Sequence, residues 1–274
     1  MLRRRTLALV LSAAGLLSLA GLAPLYSELP TLNRPKPFAL PEGFDHTVGL
    51  LSEGDHLISI DWMNDRIFAI DSRDGSLMWD ESFPNPFTTG LNRGPGCLLS
   101  VDGFHRKVYK HDPKTFKVIG TFTVPVDGPS SVAWAEQALW LADRESGSLH
   151  RYKGSRHVQH ARYELEEQDP AALFESGGLL WVMDGTRKTI RRYRFQPRFE
   201  PVESVDLSSF LADGARPTGM ALAGSQLWLM TNHPSLLYQF PIDEIWWQAS
   251  AGAAELPKTA PKHKVRHSVP AKNR

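Results

Sequence analysis

The five residues LWLAD at positions 139–143 form a short apolar run that ends on an aspartate, and the pattern recurs along the chain. The copies that end on aspartate follow one another at intervals of 41 residues: LISID at Asp61, LLSVD at Asp102, LWLAD at Asp143 and LWVMD at Asp184. A fifth copy, LWLMT, ends at Thr231, 47 residues further on. A period in this range indicates a repeat fold in which each unit is one supersecondary structure.

Each unit contains four runs of strand length, which in the second copy are TTGLNR, GCLLSVD, RKVYKHD and FKVIGTFTV. The runs are rich in β-branched and aromatic residues, and Gly, Pro, Asn and Asp separate them. Four antiparallel strands in about 40 residues form the blade of a β-propeller. We therefore predict an all-β fold with a single β-propeller over residues 28–255 and five four-stranded blades. A sixth blade is the alternative if 28–44 and 240–255 form a degenerate blade together.

The ring also needs a closure, because the fifth unit has a third strand, LLYQFPI, and no clear fourth one. The segment RPKPFALPEGF (34–44) precedes the first repeat and is predicted to pair with the last blade, which removes an open sheet edge. The large aromatic residues of the repeats are predicted to pack between blades: Trp134, Trp140, Trp181 and Trp228. Cys97, the only cysteine, allows no intramolecular disulfide and is predicted to be a small buried residue.

The two ends of the chain differ from the repeats. MLRRR is followed by 22 uncharged residues (6–27), which is typical of a signal peptide or of an uncleaved N-terminal membrane anchor. We therefore expect an exported, periplasmic or otherwise extracytoplasmic protein. Residues 256–274 carry lysines and arginines with no acid, and they are predicted to form a disordered basic tail. The N-terminal segment and this tail could both contact a membrane.

Overall charge excludes one class of partner. The formal net charge is +1, with 31 basic and 30 acidic residues, which gives no electrostatic basis for binding nucleic acid. We expect a protein or a cell-envelope ligand as the partner and a monomeric domain.

Three segments resemble known propellers. AIDSRDGSLMW (69–79) is similar to the tryptophan-docking motif of quinoprotein propellers, which it matches at Ala69, Asp71, Gly75 and Trp79. HDPKTFKVIGTF (111–122) and LWLAD resemble bacterial propellers of the NHL-repeat and virginiamycin-lyase-like class. FTTGL (87–91) is weakly similar to a segment of the five-bladed glutaminyl cyclotransferases, with Thr89 where they have Gln. The resemblance covers residues 44–245 and implies an exported bacterial propeller.

Candidate site residues come from the loops at one face of the ring. In propellers the innermost strand of each blade lines the central channel, and ligands usually bind where the loops that enter this strand meet the loops that join strands two and three. These loops offer six candidates for ligand or partner binding: Trp62, His105, Arg144, Arg187, Arg216 and His233. The repeated Asp61, Asp102, Asp143 and Asp184 could form a ring of carboxylates. We predict a structural role instead, because an aspartate at a strand end commonly bonds the next turn.

The chain shows no cofactor motif and no histidine pattern typical of a metal site, so we predict neither group. His157 and His160 in HVQH are spaced so that a strand would point them to opposite faces. The first functional hypothesis is a binding or interaction module that uses the channel-face loops. The alternative is an enzyme of the glutaminyl-cyclotransferase, lyase or lactonase kind with its site at the channel mouth. Whether the chain is an enzyme stays open, and the absence of catalytic motifs favours the binding module.

Overall fold

A computed structural model of the chain describes residues 37–83, 87–154, 157–243 and 245. They belong to one unit that spans Arg34–Arg274. The predicted signal or anchor (1–27), the predicted tail (256–274) and the outer limits of the propeller prediction lie outside the described residues. Within the described part of the chain, no helix has the length and the apolar character needed to cross a bilayer.

The described residues form five antiparallel sheets of four strands each, arranged as a β-propeller. Twenty strands follow one another along the chain: β1 Phe38–Ala39, β2 Thr47–Glu53, β3 His56–Asp61, β4 Arg66–Asp71, β5 Leu77–Ser82, β6 Thr88–Gly94, β7 Cys97–Asp102, β8 Lys107–His111, β9 Val118–Thr123, β10 Pro129–Ala135, β11 Ala138–Asp143, β12 Ser148–Lys153, β13 Val158–Glu164, β14 Pro170–Ser176, β15 Leu179–Asp184, β16 Thr189–Arg194, β17 Glu200–Asp206, β18 Arg216–Ala223, β19 Gln226–Asn232 and β20 Leu236–Pro241. Blades one to four are β2–β5, β6–β9, β10–β13 and β14–β17, and blade five combines β18–β20 with β1. The prediction of five blades is therefore confirmed, and the six-blade alternative is not.

The ring closes as the sequence predicted. Phe38 and Ala39 of β1 pair antiparallel with Leu237 and Leu236 of β20, so a segment from before the first repeat supplies the outer strand of the last blade. At the end of β19, Asn232 bonds Thr47 of blade one: its Oδ1 accepts from the Thr47 amide (3.2 Å) and hydroxyl (2.9 Å). Its Nδ2 donates to the Thr47 carbonyl at 3.1 Å.

The innermost strands approach one another closely because each has a small residue and a bulge at the same place. The bulge follows Thr88, Pro129, Pro170 and Pro217, and a longer one follows Val48. A Cβ on Gly219 would lie 2.8 Å from the backbone carbon of Gly49, closer than side chains approach. We call the contact of Gly49 and Gly219, together with the Thr47–Asn232 bonds, the closure joint. Residue 219 must therefore stay a glycine for blades one and five to approach this closely, while Gly49 leaves room for Leu91 of blade two on its other side.

Large apolar side chains fill the spaces between blades. Trp140 of blade three packs against Leu173, Val182 and Tyr193 of blade four, and Trp228 of blade five packs with Leu57 and other residues of blade one. Trp181 and Trp134 lie in or against the corresponding clusters between blades four and five and between blades two and three. The predicted packing role of the four tryptophans is confirmed, and Cys97 is buried in the same way.

Candidate functional site

Each of the four repeated aspartates hydrogen-bonds the loops next to the end of its strand. Asp61 is fully buried at the end of β3, and its Oδ1 accepts hydrogen bonds from the amides of Met63 and Asn64 at 3.1 Å. Asp184 does the same in blade four, where Oδ1 accepts from the Thr186 and Arg187 amides and Oδ2 from the Gln168 amide. Each carboxylate thus holds the joining loop of its own blade. The carboxylates support the loops that surround the channel mouth.

The other two aspartates add side-chain partners to the same arrangement. Asp102 accepts from the His105 amide at 2.7 Å and lies 2.8 Å from His105 Nδ1. Asp143 accepts from the Gly128 amide at 2.9 Å and from the Ser146 hydroxyl at 2.7 Å. The Gly128 bond ties the loop that enters blade three to the loop that leaves β11. The buried aspartates therefore hold the loops at the channel mouth in their conformations through hydrogen bonds.

A cavity of about 520 Å3 opens at this face, and four of the five blades line it with loop residues. Blade four contributes only Ala171 to the lining, whereas its loop 184–189 stays outside. The residues of the lining are His46, Val48, Trp62, Phe87, Thr88, Thr89, Gly103, Phe104, Asp127, Gly128, Pro129, Arg144, Glu145, Ala171, Arg216, Pro217, Thr218, Asn232 and His233. A cavity of this size can hold a small organic molecule or the end of a peptide.

One wall of the cavity is charged. Arg216 Nη2 donates to Asp169 Oδ2 at 2.7 Å, and Arg144 Nε lies 3.6 Å from Asp169 Oδ1, which is an ion pair without a hydrogen bond. The Thr186 hydroxyl also donates to Asp169 Oδ2, at 3.2 Å. We call Arg144, Asp169 and Arg216 the arginine joint, because it links blades three, four and five at the mouth. Burial lowers the pKa of the Arg144 guanidinium, which Asp169 offsets in part and the charge of Arg216 reinforces.

A second part of the lining is aromatic, and we call it the aromatic wall. The rings of Phe87 and Phe104 stack with centroids 4.9 Å apart, and 71% of Phe104 and 42% of Phe87 are exposed. His46 and Trp62 form an edge-to-face pair at 5.9 Å. Large apolar side chains exposed together at a cavity rim often mark a binding surface. The cavity therefore offers cationic groups on one side and ring faces on the other.

A buried network lies behind the charged wall, two residues before Asp169 in the chain. The Tyr193 hydroxyl donates to Glu167 Oε2 at 2.6 Å, and Arg191 Nε lies 3.1 Å from Glu167 Oε1 in an orientation that makes an ion pair and no hydrogen bond. Glu167 is only 3% exposed. Burial raises the pKa of this carboxyl, against the opposing effects of Tyr193 and Arg191. None of these three side chains lines the cavity.

The structure brings together four of the six residues predicted as binding candidates: Trp62, Arg144, Arg216 and His233 all line the cavity. His105 and Arg187 do not. His105 lies beside the aromatic wall, with its ring 5.0 Å from that of Phe104. Arg187 is directed to the neighbouring loop, where its Nη1 donates to the Glu166 carbonyl at 2.7 Å. Ligand binding by any of the six stays a prediction.

The residues that the sequence did not single out are Asp169, Phe87, Phe104 and Asn232. All four occupy loops or strand ends that the sequence had assigned to the channel face, but their side chains carried no repeated pattern. His46 and His233 both line the cavity without forming a metal centre. Across 37–83, 87–154 and 157–243, no three or more His, Cys, Asp or Glu side chains are arranged to hold a metal ion.

Solved structures share this fold at low sequence identity. Glutaminyl cyclase from Myxococcus xanthus superposes with a TM-score of 0.61 at 12% identity, over 75% of this chain and 93% of that one. Virginiamycin B lyase from Staphylococcus aureus matches with a TM-score of 0.46 at 17% identity, over 74% of this chain and 72% of that one. BamB from Moraxella catarrhalis matches with a TM-score of 0.40 at 10% identity, over 74% and 57%.

No family model and no curated protein sequence matches the chain. The predicted resemblance to this class of propellers is confirmed at the level of the fold. At these identities the likeness concerns the fold alone, and propellers with one architecture perform unrelated functions.

Proposed function

We propose that the protein is an exported β-propeller that acts as a binding module, with the cavity at its channel mouth as the ligand site. The observation that carries this proposal is the convergence of loops from separate blades on one concave surface with two arginines on one side and exposed aromatic rings on the other. Such a combination of an apolar surface with a few placed polar groups is typical of ligand sites. The basic start and the uncharged stretch 6–27 support export.

The expected ligand is a small molecule, or an exposed peptide segment of a protein, from the cell envelope. A concave cavity of about 520 Å3 fits such a ligand better than the flat surface of a folded domain. The ring that surrounds the cavity is held by buried aspartates and blade-to-blade bonds. Binding should therefore need little rearrangement of the loops.

The test is capture of the ligand by the tagged full-length chain from an extract of the cell envelope, followed by mass spectrometry of the retained molecules. Thr218 lines the cavity, so Thr218→Trp should fill part of it. Thr123→Trp places the same bulk on the outer strand β9 and serves as the matched control. We expect Thr218→Trp to lose the retained molecule and Thr123→Trp to keep it. Equal retention by both variants would contradict a site at the channel mouth.

Catalysis is the second candidate function, because a concave cavity can enclose a substrate and a flat docking surface cannot. The same experiment separates the two, because a captured ligand can be incubated with the purified protein and followed by mass spectrometry. Conversion that depends on the cavity would make the protein an enzyme. If the ligand is recovered unchanged after prolonged incubation with the purified protein, the binding module remains the proposed function.

Export has its own test, which is fractionation of cells that express the full-length chain. We expect the protein in the extracytoplasmic or membrane fraction, and we expect it to move to the cytoplasm when residues 1–27 are removed. A cytoplasmic full-length chain would contradict the export part of the proposal and leave the cavity unaffected.

A further inference from the structure

The arginine joint contains two cations and one carboxylate. Asp169 is shared by two arginines, and it hydrogen-bonds only one of them. Within the described residues, the Arg144 Nε is buried and has no hydrogen-bond partner. The Arg144 side chain as a whole is 35% exposed and lines the cavity, so its guanidinium group can be reached by a ligand.

The acids around the cavity do not remove this excess. Asp127 lines the cavity but pairs with Arg106, whose Nη1 lies 3.0 Å from its Oδ1. Glu145 also lines it and acts on the Arg144 guanidinium, but this carboxylate is exposed, so water weakens the attraction. The arginine joint therefore presents positive charge to an incoming anion. The fork of donors on a guanidinium matches the two oxygens of a carboxylate.

The aromatic wall defines the rest of the ligand. Phe87 and Phe104 are exposed and line the same cavity as the two arginines. Ring faces gain from contact with another ring or with a bulky apolar group. A ligand that satisfies both walls has an anionic group and an apolar group separated by the width of a small cavity.

We propose that the cavity binds an organic carboxylate with an aromatic or bulky apolar side group, the carboxylate between Arg144 and Arg216 and the apolar group against Phe87 and Phe104. This inference rests on the proposed function and names the ligand class for the same site. Two sources share this chemistry: a free aromatic acid, and the last residue of a peptide that ends in an aromatic side chain.

The test uses N-acetyl-L-phenylalanine, titrated into the full-length chain by calorimetry at low salt. Its amide has the same ring and no charge, and N-acetyl-L-alanine has the charge and no ring. We expect the acid to bind at least about tenfold more tightly than either analogue, because a charge-assisted bond or a ring contact is lost in each. Equal binding of the acid and the amide would overturn the proposal. A tetrapeptide ending in Phe that binds more tightly than the free acid identifies a peptide end as the ligand, and the reverse order identifies a free acid.

The matched variants are Arg144→Gln and Arg187→Gln, which remove the same charge from two loops at this face. Arg187 lies outside the cavity, so it controls for the general electrostatic field. We expect Arg144→Gln to weaken the acid at least about tenfold and Arg187→Gln to leave it within about twofold. Similar losses in both variants would overturn the assignment.

The aromatic half has a parallel pair. Phe104→Ser removes the most exposed ring, and Ile119→Ser removes a comparably exposed apolar side chain from β9. We expect a loss of about threefold to tenfold in the first variant only.

Two variants distinguish a wrong ligand class from a wrong binding site. If Thr218→Trp abolishes capture of the envelope ligand while Arg144→Gln keeps it, the cavity is a binding site and its ligand is not an anion. That result would overturn the carboxylate assignment alone.

Discussion

The closure joint and the arginine joint lie on the same face of the ring and are bonded in different ways. At the closure joint, Asn232 makes three neutral hydrogen bonds to Thr47, and two glycines let the strands touch. At the arginine joint, one carboxylate serves two cations, one of which keeps a buried nitrogen without a hydrogen-bond partner among the described residues. The hydrogen bonds of the first joint are complete, whereas the second leaves a guanidinium nitrogen that we propose is compensated by an anionic ligand. The difference indicates which part of the mouth holds the ring together and which part is available for a ligand.

The largest effect on stability is expected from a substitution that removes the close approach of the two strands at the closure joint. Gly219→Ala would place a Cβ 2.8 Å from the backbone of Gly49, so the two strands would have to move apart. We expect a loss of about 3 kcal/mol in the free energy of unfolding, measured by urea denaturation. Gly120→Ala is the control, because its Cβ would meet only the Lys110 side chain at ordinary contact distance. A Gly219→Ala protein as stable as the control would show that the closure joint is not the tight contact described.

The second test removes the hydrogen bonds of the same joint. Asn232→Ala removes the three hydrogen bonds between Asn232 and the fully buried Thr47, and we expect a loss of about 2 to 3 kcal/mol in the free energy of unfolding. Asn64→Ala removes an exposed bond to the Gly43 carbonyl and should change stability by less than about 0.5 kcal/mol. The measurement is again the urea midpoint. Equal midpoints would show that the Thr47–Asn232 hydrogen bonds do not stabilise the closure joint.

The third test acts on the arginine joint. Asp169→Asn leaves two arginines without their shared carboxylate, and we expect a loss of about 2 kcal/mol in the absence of ligand. Because a ligand that binds only the folded state stabilises it, N-acetyl-L-phenylalanine should recover much of this loss. Glu200→Gln breaks a half-exposed pair with Arg194 and is the control, with an expected change below about 1 kcal/mol. A variant whose thermal midpoint does not respond to the acid would contradict the role of excess positive charge.

A change of pH is expected to have the smallest effect on stability. It should affect the region of the arginine joint and not the closure joint, and it needs no change in the backbone. The closure joint contains no titratable side chain, whereas Glu167 lies two residues from Asp169. Burial raises the pKa of Glu167 in the folded protein, so the unfolded chain releases this proton at a lower pH than the folded one does. The stability of the wild type relative to Glu167→Gln should therefore fall as the pH rises above about 4, the ordinary range of a glutamate pKa. A relative stability that rises over the same range would show that Arg191 outweighs the effect of burial.

The fold could be predicted from the sequence because it depends on repeated features. The spacing of Asp61, Asp102, Asp143 and Asp184 fixed the number and size of the first four blades, and the missing strand of the fifth explained the segment before the first repeat. Aspartates at strand ends have a local role, since each bonds the turn that follows it. A local role of this kind can be predicted from sequence neighbours alone.

The site was predictable only in part, because its residues depend on how unrepeated loops fold. Arg144 and Arg187 both belong to joining loops, but only the loop of Arg144 lines the cavity. Arg144 comes directly after its repeat aspartate. Arg187 lies three residues after Asp184, and its side chain donates to the Glu166 carbonyl. Asp169 had no counterpart in the other blades that would have identified it. Which loop side chains face the cavity is decided by contacts between blades, and these are remote in sequence.

The most direct test of the ligand site is a crystal structure of the protein grown with N-acetyl-L-phenylalanine. We expect the carboxylate oxygens to lie within about 3 Å of guanidinium nitrogens of both Arg144 and Arg216, with the phenyl ring against Phe104. A ligand bound on another surface, or a carboxylate directed away from the arginine joint, would contradict it.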